Sequence, residues 1–142
     1  KESKKNIFEE AVSKDRIIFK DRLKIISAED VEINQKLLES IFRNENIFLK
    51  KVYNGKELIE ELDREDYHLI LIDIQMPILN GIEATKKIRR HDKHKGIPII
   101  AVSAYAFEEN VEEMKKAGVN DFILKPIKKG DLMNKIDKWA MI

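Results

Sequence analysis

The sequence contains no cysteine in its 142 residues. This absence excludes a disulfide framework and a metal site built from thiolates. No apolar run is long enough to span a bilayer, and we expect a cytoplasmic domain that makes no contact with a membrane. Neither sign of charge is in excess, since 27 Lys and Arg residues face 26 Asp and Glu residues. This balance offers no argument for direct nucleic acid binding, which favours a strongly basic domain or stripe.

Two segments of different composition follow one another along the chain. Residues 1–22 are dense in Lys, Glu and Asp, and their sparse apolar residues fall roughly at helical spacing. They predict a charged linker or helical arm, which is either a solvated tether or a helix that continues from an upstream domain or packs on a partner. Residues 23–142 are long enough for one ordinary domain, and a hydrophobic content of 43% over the whole chain is enough for a core.

Short apolar runs alternate regularly with amphipathic segments from residue 23 onward. The clearest strand ends at Asp73, and its unbroken apolar part, residues 69–72, is typical of a central parallel strand covered on both faces. Five strands that alternate with five helices predict an α/β fold with helices on both faces of a parallel sheet. The predicted strands span residues 23–27, 46–52, 67–73, 97–102 and 121–124, and the predicted helices span residues 31–43, 56–62, 82–90, 107–117 and 128–140.

Polar residues follow four of the predicted strands at the point where each strand ends. Glu29 and Asp30 follow the first strand, Asp73 ends the third, Ser103 follows the fourth and Lys125 follows the fifth. The carboxyl ends of parallel strands lie at one edge of a sheet, and ligands bind there where the strand order reverses. We therefore expect these five residues to converge although they are distant in the chain.

The chemistry of this set favours phosphoryl transfer to a carboxylate. Three close carboxylates repel one another unless a cation neutralises them, and Mg²⁺ takes one or two carboxylates together with phosphate oxygens. Lys125 supplies a positive charge and Ser103 a hydroxyl donor for phosphoryl oxygens. The remaining carboxylate is a nucleophile that can form an aspartyl phosphate, and positioning and charge neutralisation are most of what that reaction needs.

Each residue also has a purely structural interpretation. Asp30 is well placed to cap the following helix, Ser103 alone would be a loop serine, and Lys125 could be a surface lysine. Asp73 has no obvious helix to cap. The joint occurrence of the set is therefore much harder to explain structurally than any single member.

The segment at residues 71–81, LIDIQMPILNG, resembles the phosphoacceptor segment of response-regulator receiver domains. The pair Glu29–Asp30 resembles their metal-binding acidic pair, and Ser103 followed by Ala104 resembles their switch hydroxyl and its small neighbour. Lys125, before Pro126 and joined to it by an expected cis peptide bond, resembles their conserved lysine, and Phe122 occupies their aromatic switch position. The resemblance covers about residues 23–142. It implies a flavodoxin-like, doubly wound sheet with strand order 2-1-3-4-5 and five helices.

The resemblance also implies a mechanism. A phosphohistidine on a histidine kinase or a histidine phosphotransfer domain donates its phosphoryl group to Asp73. Mg²⁺ is held by Asp30, Asp73 and the backbone carbonyl of Gln75, with Glu29 acting through water. Gln75 and Tyr105 flank the site and are expected to tune the lifetime of the phosphoryl group.

Ser103 then moves toward the phosphoryl group, and Phe122 turns inward into the vacated space. The surface formed by the fourth helix, fifth strand and fifth helix changes as a result. Phosphorylation, which is a local change of charge, thereby switches this surface between two conformations. The same surface is a candidate site of homodimer formation.

Residues 28–35, AEDVEINQ, resemble the corresponding segment in receivers of hybrid histidine kinases. In those proteins an apolar spot on the first helix meets a phosphotransfer helix, and Ile33 with Ile127 is the candidate for this spot. The alternative is that Ile33 packs inward. The chain ends about where the resemblance ends, which favours a C-terminal receiver of a hybrid kinase, or a stand-alone single-domain regulator, over a transcription factor.

Two other functional classes share features with this set of residues. A phosphohydrolase of the haloacid dehalogenase type also uses a strand-end aspartate, but it needs an acidic residue two positions later, where this chain has Gln75, and it needs a cap domain. A pseudo-receiver, which keeps the fold only for binding, would have lost an acidic residue, the lysine or the acceptor. None of these is missing.

Overall fold

The computed structural model describes residues 22–140, which form five strands and five helices in strict alternation. Apart from Arg22, the predicted linker or arm at residues 1–22 lies outside the described residues. No helix within residues 22–140 is long and apolar enough to cross a bilayer. The strands are β1 (Leu23–Ala28), β2 (Ile47–Val52), β3 (Leu69–Asp73), β4 (Ile99–Ser103) and β5 (Asp121–Leu124), and the helices are α1 (Glu32–Phe42), α2 (Gly55–Arg64), α3 (Gly81–Arg90), α4 (Glu108–Ala117) and α5 (Lys129–Ala140).

The five strands are all parallel and lie in the order β2-β1-β3-β4-β5, which confirms the predicted flavodoxin-like sheet. All residues of the central strand β3 are buried. Ile70 and Ile72 pack into the core formed with α2, α3 and α4, whereas Leu69 and Leu71 pack into the core formed with α1 and α5. Successive residues of a strand face opposite sides of the sheet, so an unbroken apolar run is what two covered faces require.

Asparagine caps and one glycine set the ends of three helices. The side chain of Asn54 accepts a hydrogen bond from the N–H of Glu57, 2.9 Å away, at the start of α2. Asn80 caps α3 in the same way through the N–H of Glu83. Helix α4 ends at Gly118, whose φ of 114° lies in the left-handed region that glycine adopts readily. The predicted end of this helix at residue 117 is therefore confirmed.

Asp30 does not cap α1, contrary to its structural interpretation. The N-cap residue is Val31, and no side chain caps the helix there. The carboxylate of Glu29 instead accepts a hydrogen bond from the N–H of Val31, 3.0 Å away. Glu29 reaches this N–H because its side chain is buried under the start of α1, whereas Asp30 is exposed.

The buried face of α1 does not include all of its apolar residues. The apolar residues Ile33 and Leu37 lie on the outer side of the predicted helix 31–43, with 69% and 38% of their surfaces exposed. The helix is rotated so that the position facing the sheet in its first turn is occupied by a polar residue. The buried residues of α1 are Gln35, Leu38, Ile41 and Phe42.

Candidate functional site

Three carboxylates meet at the carboxyl edge of the sheet, where β1 and β3 end. Glu29 and Asp30 follow β1 directly, and Asp73 is the last residue of β3. One carboxylate oxygen from each residue lies within 4.8 Å of those from the other two. The register of the strands explains this, since Ala28 pairs with Ile72 and the next residues of both strands are neighbours. Glu29 and Asp73 are buried, with 5% and 4% of their surfaces exposed, whereas Asp30 is exposed to solvent.

Lys125 brings an ammonium group to the same cluster from the end of β5. Its Nζ lies 3.3 Å from Oδ2 of Asp73 and 3.6 Å from Oε1 of Glu29. The backbone N–H of Lys125 donates to the carbonyl of Ser103 over 2.9 Å, so the pairing of β5 with β4 sets where this side chain begins. The expected cis peptide bond between Lys125 and Pro126 is confirmed. One positive charge is therefore shared by the two buried carboxylates.

The loop after β3 folds back tightly on Asp73. Oδ1 of Asp73 accepts a hydrogen bond from the N–H of Gln75 over 3.1 Å, and the N–H of Gly81 donates to the carbonyl of Ile74 over 2.9 Å. A Cβ atom at position 81 would lie only 2.5 Å from the carbonyl oxygen of Asp73. Glycine therefore allows the first turn of α3 to approach the end of β3 this closely.

The charge of Glu29 is held in an environment that disfavours it. Burial is the largest cause of a raised pKa at this carboxyl, and the charge of Asp73 adds to it. The N–H of Val31 and the ammonium of Lys125 act in the opposite direction without cancelling the effect. A further cation at the cluster would stabilise the charged form of Glu29.

Gln35 supports the cluster although it was not among the predicted site residues. This fully buried side chain of α1 donates from Nε2 to the carbonyls of Ser27, Glu29 and Val52 over 3.2, 3.1 and 3.0 Å. It thereby ties the ends of β1 and β2 to the helix above them and fixes the backbone that carries Glu29. The sequence signal that could have identified Gln35 is its spacing. It precedes the buried Leu38 by three residues and so lies on the same face of the helix.

Ser103 is held in a local turn at the end of β4. The hydroxyl is buried, donates to the carbonyl of Tyr105 over 2.9 Å and accepts from the N–H of Tyr105 over 3.1 Å. The ring of Tyr105 is half exposed and stacks on Phe107, with ring centroids 5.7 Å apart. Movement of the hydroxyl therefore requires the turn that carries Tyr105 to rearrange.

Phe122 on β5 is partly buried against the core. The Nζ of Lys135 lies 5.9 Å from the centroid of its ring and also donates to Asp121 over 2.8 Å. Trp139 donates to the same carboxylate over 2.9 Å. Burial alone would raise the pKa of Asp121, but the hydrogen bonds from Lys135 and Trp139 outweigh it, and the pKa is lowered. Phe122 therefore lies beside a network that links β5 to α5.

The remaining predicted residues lie on the surface around the cluster. The side chain of Ile33 is mostly exposed, so the alternative that it packs inward is wrong. Ile127 is partly buried against the core beneath α1 and α5. Gln75 is exposed in an open cleft of about 530 Å³, which Asp30 and Asn110 also line.

The donor set at the carboxyl edge suits a hard divalent cation. Its three candidate ligands are carboxylate oxygens, one of them exposed to the adjoining cleft. Mg²⁺ prefers oxygen ligands and keeps several waters, so a site that is open on one side and carries an excess of negative charge fits it. Glu29, Asp30 and Asp73 therefore satisfy the chemistry that the implied cofactor needs.

The family model of the response regulator receiver domain matches residues 25–137. The chain belongs to this family. It is a receiver domain of a two-component phosphorelay, and the haloacid dehalogenase alternative is thereby set aside.

Relatives of this receiver domain include both hybrid kinases and response regulators. It is 38% identical to the hybrid signal transduction histidine kinase I of Dictyostelium discoideum over 73% of the present chain and 6% of that protein. It is 31% identical to the response regulator mcs4 of Schizosaccharomyces pombe over 83% of the present chain and 28% of that protein. The chain thus spans only a small part of these relatives.

Two solved receiver structures resemble this one. The receiver domain of a sensor histidine kinase from Pseudomonas aeruginosa, with a magnesium ion in its active-site cleft, is 31% identical; the match covers 84% of this chain and 98% of that one, with a TM-score of 0.78. The receiver domain of the response regulator Ssk1 of Saccharomyces cerevisiae, crystallised with the histidine phosphotransfer protein Ypd1, is 32% identical; the match covers 84% and 89% of the two chains, also with a TM-score of 0.78.

Proposed function

We propose that Asp73 accepts a phosphoryl group from a phosphohistidine. The observation that carries this assignment is the contact of the Lys125 ammonium with Oδ2 of Asp73, 3.3 Å long, beside two further carboxylates within 4.8 Å. In the transfer, the bond between phosphorus and the histidine nitrogen breaks as a bond between phosphorus and a carboxylate oxygen of Asp73 forms. The nitrogen keeps the bonding electron pair and takes up a proton from water.

Asp30, Asp73 and the backbone carbonyl of Gln75 are the proposed ligands of Mg²⁺, with Glu29 acting through water. When bound, the ion supplies charge neutralisation for the carboxylates and the phosphoryl oxygens. The magnesium ion in the cleft of the Pseudomonas aeruginosa receiver supports this choice of cation. Lys125, which follows the end of β5 at the same edge of the sheet, positions the phosphoryl group and neutralises part of its charge.

Ser103 is the proposed switch hydroxyl and Phe122 the proposed aromatic switch. When Ser103 donates to a phosphoryl oxygen, it gives up its bond to the carbonyl of Tyr105. The turn at Tyr105 then shifts, and Phe122 moves inward. Tyr105 and Gln75 flank the site and are proposed to set how fast water removes the phosphoryl group.

Intact-mass measurement tests the acceptor assignment. Wild-type protein treated with Mg²⁺ and a small phosphodonor such as phosphoramidate is expected to gain one phosphoryl group, and Asp73→Asn is expected to gain none. Asp63→Asn, an aspartate on α2, is the matched control and should be modified like the wild type. Equal modification of wild type and Asp73→Asn would refute the assignment.

A histidine phosphotransfer domain is the proposed phosphodonor, and its helix is proposed to dock on Ile33 and Ile127. The exposure of Ile33 beside the acidic cluster supports this surface, as does the complex of the related Ssk1 receiver with Ypd1. Ile33→Asp is expected to slow transfer from the phosphotransfer partner without changing modification by phosphoramidate. Phe48→Asp, at an exposed position on β2 near the other end of the sheet, should change neither rate. Unaltered transfer in Ile33→Asp would remove this residue from the interface.

The surface formed by α4, β5 and α5 is proposed as a homodimer interface of the phosphorylated state. Phe107 and Leu124, with 61% and 46% of their surfaces exposed, supply apolar contact area there. Light scattering with beryllium fluoride is expected to show a dimer that Leu124→Lys prevents. A monomer under all conditions would contradict this part of the proposal.

A hybrid histidine kinase in the cytoplasm, which could be anchored to a membrane elsewhere in its chain, is the proposed parent protein. The similarity to hybrid kinases supports it, and a stand-alone single-domain regulator is the second candidate. Detection of the native protein by an antibody to this domain separates the two, because a hybrid kinase migrates far above the 16.7 kDa of this chain.

A further inference from the structure

Two histidines and one aspartate converge at the amino edge of the sheet, opposite the acidic cluster. Asp63 lies near the end of α2, His91 ends α3, and His94 lies in the following loop. One donor atom from each of the three residues lies within 4.8 Å of the other two. We propose that Asp63, His91 and His94 form a second metal site, one that takes a borderline divalent cation such as Zn²⁺.

The donor geometry fits such a cation. Oδ1 of Asp63 lies 3.2 Å from Nε2 of His94 and 4.0 Å from Nε2 of His91. Ligands of tetrahedral Zn²⁺ at bond lengths of about 2.0–2.2 Å lie about 3.4 Å from one another. Asp63 needs only a small movement, whereas His91 must turn its ring out of the stack on His94, because a ligating imidazole holds its metal in the plane of the ring. Both side chains are more than half exposed, which leaves room for these movements.

The ligand types select against Mg²⁺. Imidazole suits Zn²⁺ and the later transition metals, whereas Mg²⁺ prefers oxygen. Two imidazoles and one carboxylate leave the fourth tetrahedral position to water, which the exposed side of the cluster admits. The two metals would thus occupy opposite ends of the domain without competing strongly.

The loop that carries the histidines is fixed before any metal binds. The N–H of His94 donates to the carbonyl of His91 over 3.0 Å, and the two rings stack with centroids 4.7 Å apart. The guanidinium of Arg89 donates to the carbonyls of Lys95 and Ile97 over 2.9 and 2.7 Å. Ordering of the loop therefore adds little to the free energy that binding requires.

His91 is the weaker of the two imidazole ligands. Its Nδ1 accepts a long hydrogen bond, 3.3 Å, from the N–H of Lys93. Metal binding through Nε2 moves the ring proton to Nδ1 and gives up this bond. His94 is 7% exposed and already directs Nε2 toward Asp63, so it is the anchoring ligand.

Calorimetric titration of Zn²⁺ into metal-free protein, with excess Mg²⁺ to occupy the acidic cluster, tests the site. Wild type is expected to bind one Zn²⁺, and His94→Gln and His91→Ala are each expected to weaken binding by about tenfold or more, since even the indirect supports of a metal site contribute about that much. His68→Gln, the matched control, should bind like the wild type, because His68 contacts the N–H of Lys24 and lies outside the cluster.

A second measurement does not depend on how the variants fold. Zn²⁺ should shift the imidazole NMR signals of His91 and His94 in the wild-type protein but leave those of His68 in place. It should also raise the thermal unfolding midpoint of the wild type, because the cation binds only the folded chain. Absence of saturable binding, equal affinity in His94→Gln, or unchanged signals from His91 and His94 would each overturn the proposal.

Discussion

Gly81→Ala is expected to disturb both the stability of the domain and the position of Asp73, the proposed acceptor. The added Cβ would lie 2.5 Å from the carbonyl oxygen of Asp73 and 2.8 Å from Cα of Ile74, whereas ordinary van der Waals contact begins near 3.4 Å. The two backbone segments must therefore separate by about 0.9 Å. Because both contacted atoms belong to backbone, no flexible side chain can absorb the movement.

The magnitude follows from two opposing contributions. Overpacking of this kind costs about 1–3 kcal/mol, and alanine in place of glycine at a helical position recovers up to about 1 kcal/mol. The net loss in the free energy of unfolding is about 0–2 kcal/mol with full recovery and about 3 kcal/mol at most without it. Each kcal/mol of this loss lowers the thermal unfolding midpoint of a domain of this size by roughly 3–6 °C. Modification of Asp73 by phosphoramidate should slow by about tenfold or more, since a misplacement of 1 Å can reduce a rate by about 100-fold.

Urea unfolding followed by circular dichroism and intact-mass kinetics measure the two effects. Gly130→Ala is the matched control, because no atom lies within 4 Å of the added Cβ in the first turn of α5. It should leave modification unchanged and stabilise the fold by up to about 1 kcal/mol. If Gly81→Ala matches the wild type in both stability and modification rate, the close approach of α3 to Asp73 does not constrain the site.

Substitutions at three further positions test the supports of the fold and the site. Gln35→Leu should lower the free energy of unfolding by about 1–3 kcal/mol, because buried carbonyls lose their donor, and should weaken Mg²⁺ binding; an unchanged urea midpoint would contradict this. Asn54→Ala should cost about 1 kcal/mol and Asn54→Asp much less, a difference that thermal unfolding resolves. The lowered pKa of Asp121 stabilises the fold above the pKa of the unfolded carboxyl, and this contribution disappears as the pH falls through the folded pKa. The stability gap between wild type and Asp121→Asn should therefore shrink on acidification, and a gap that is constant with pH would refute the assignment.

The fold and the carboxyl-edge cluster were predictable because both follow from one physical regularity. An apolar run such as residues 69–72 indicates a strand with two covered faces, and parallel strands bring their carboxyl ends to one edge. Asp73 and Lys125 were therefore expected at the same edge. The resemblance to the receiver family supplied the strand order, which separates β3 from β5 by one strand only, and the chemistry of the site.

The side-chain arrangement around the cluster was less predictable, because it depends on the rotation of a helix by a fraction of a turn. The sequence left open whether Ile33 packs inward or lies on a docking surface, and it did not indicate that the buried position is Gln35, whose Nε2 donates to backbone carbonyls at the strand ends. Polar satisfaction outweighed hydrophobic periodicity at this position. The sequence did not indicate the approach of Asp63 to His91 and His94 either, since this approach depends on the path of the loop between α3 and β4.

The charge at the carboxyl edge gives a reason why the proposed switch would use a mobile neutral donor. Three carboxylates and the ammonium of Lys125 give the cluster a formal charge of −2, which one divalent cation cancels. A phosphoryl group replaces the single charge of Asp73 with about −1.5 to −2, so an excess of negative charge returns. The ammonium of Lys125 already contacts the carboxylate of Glu29 as well. In the proposed switch, the hydroxyl of Ser103 therefore stabilises the added negative charge. Its bond to the neutral carbonyl of Tyr105 is exchanged for one to a charged oxygen, which is roughly twice as strong. Under the proposed switch, the turn at Tyr105 is therefore expected to change when the phosphoryl group is present.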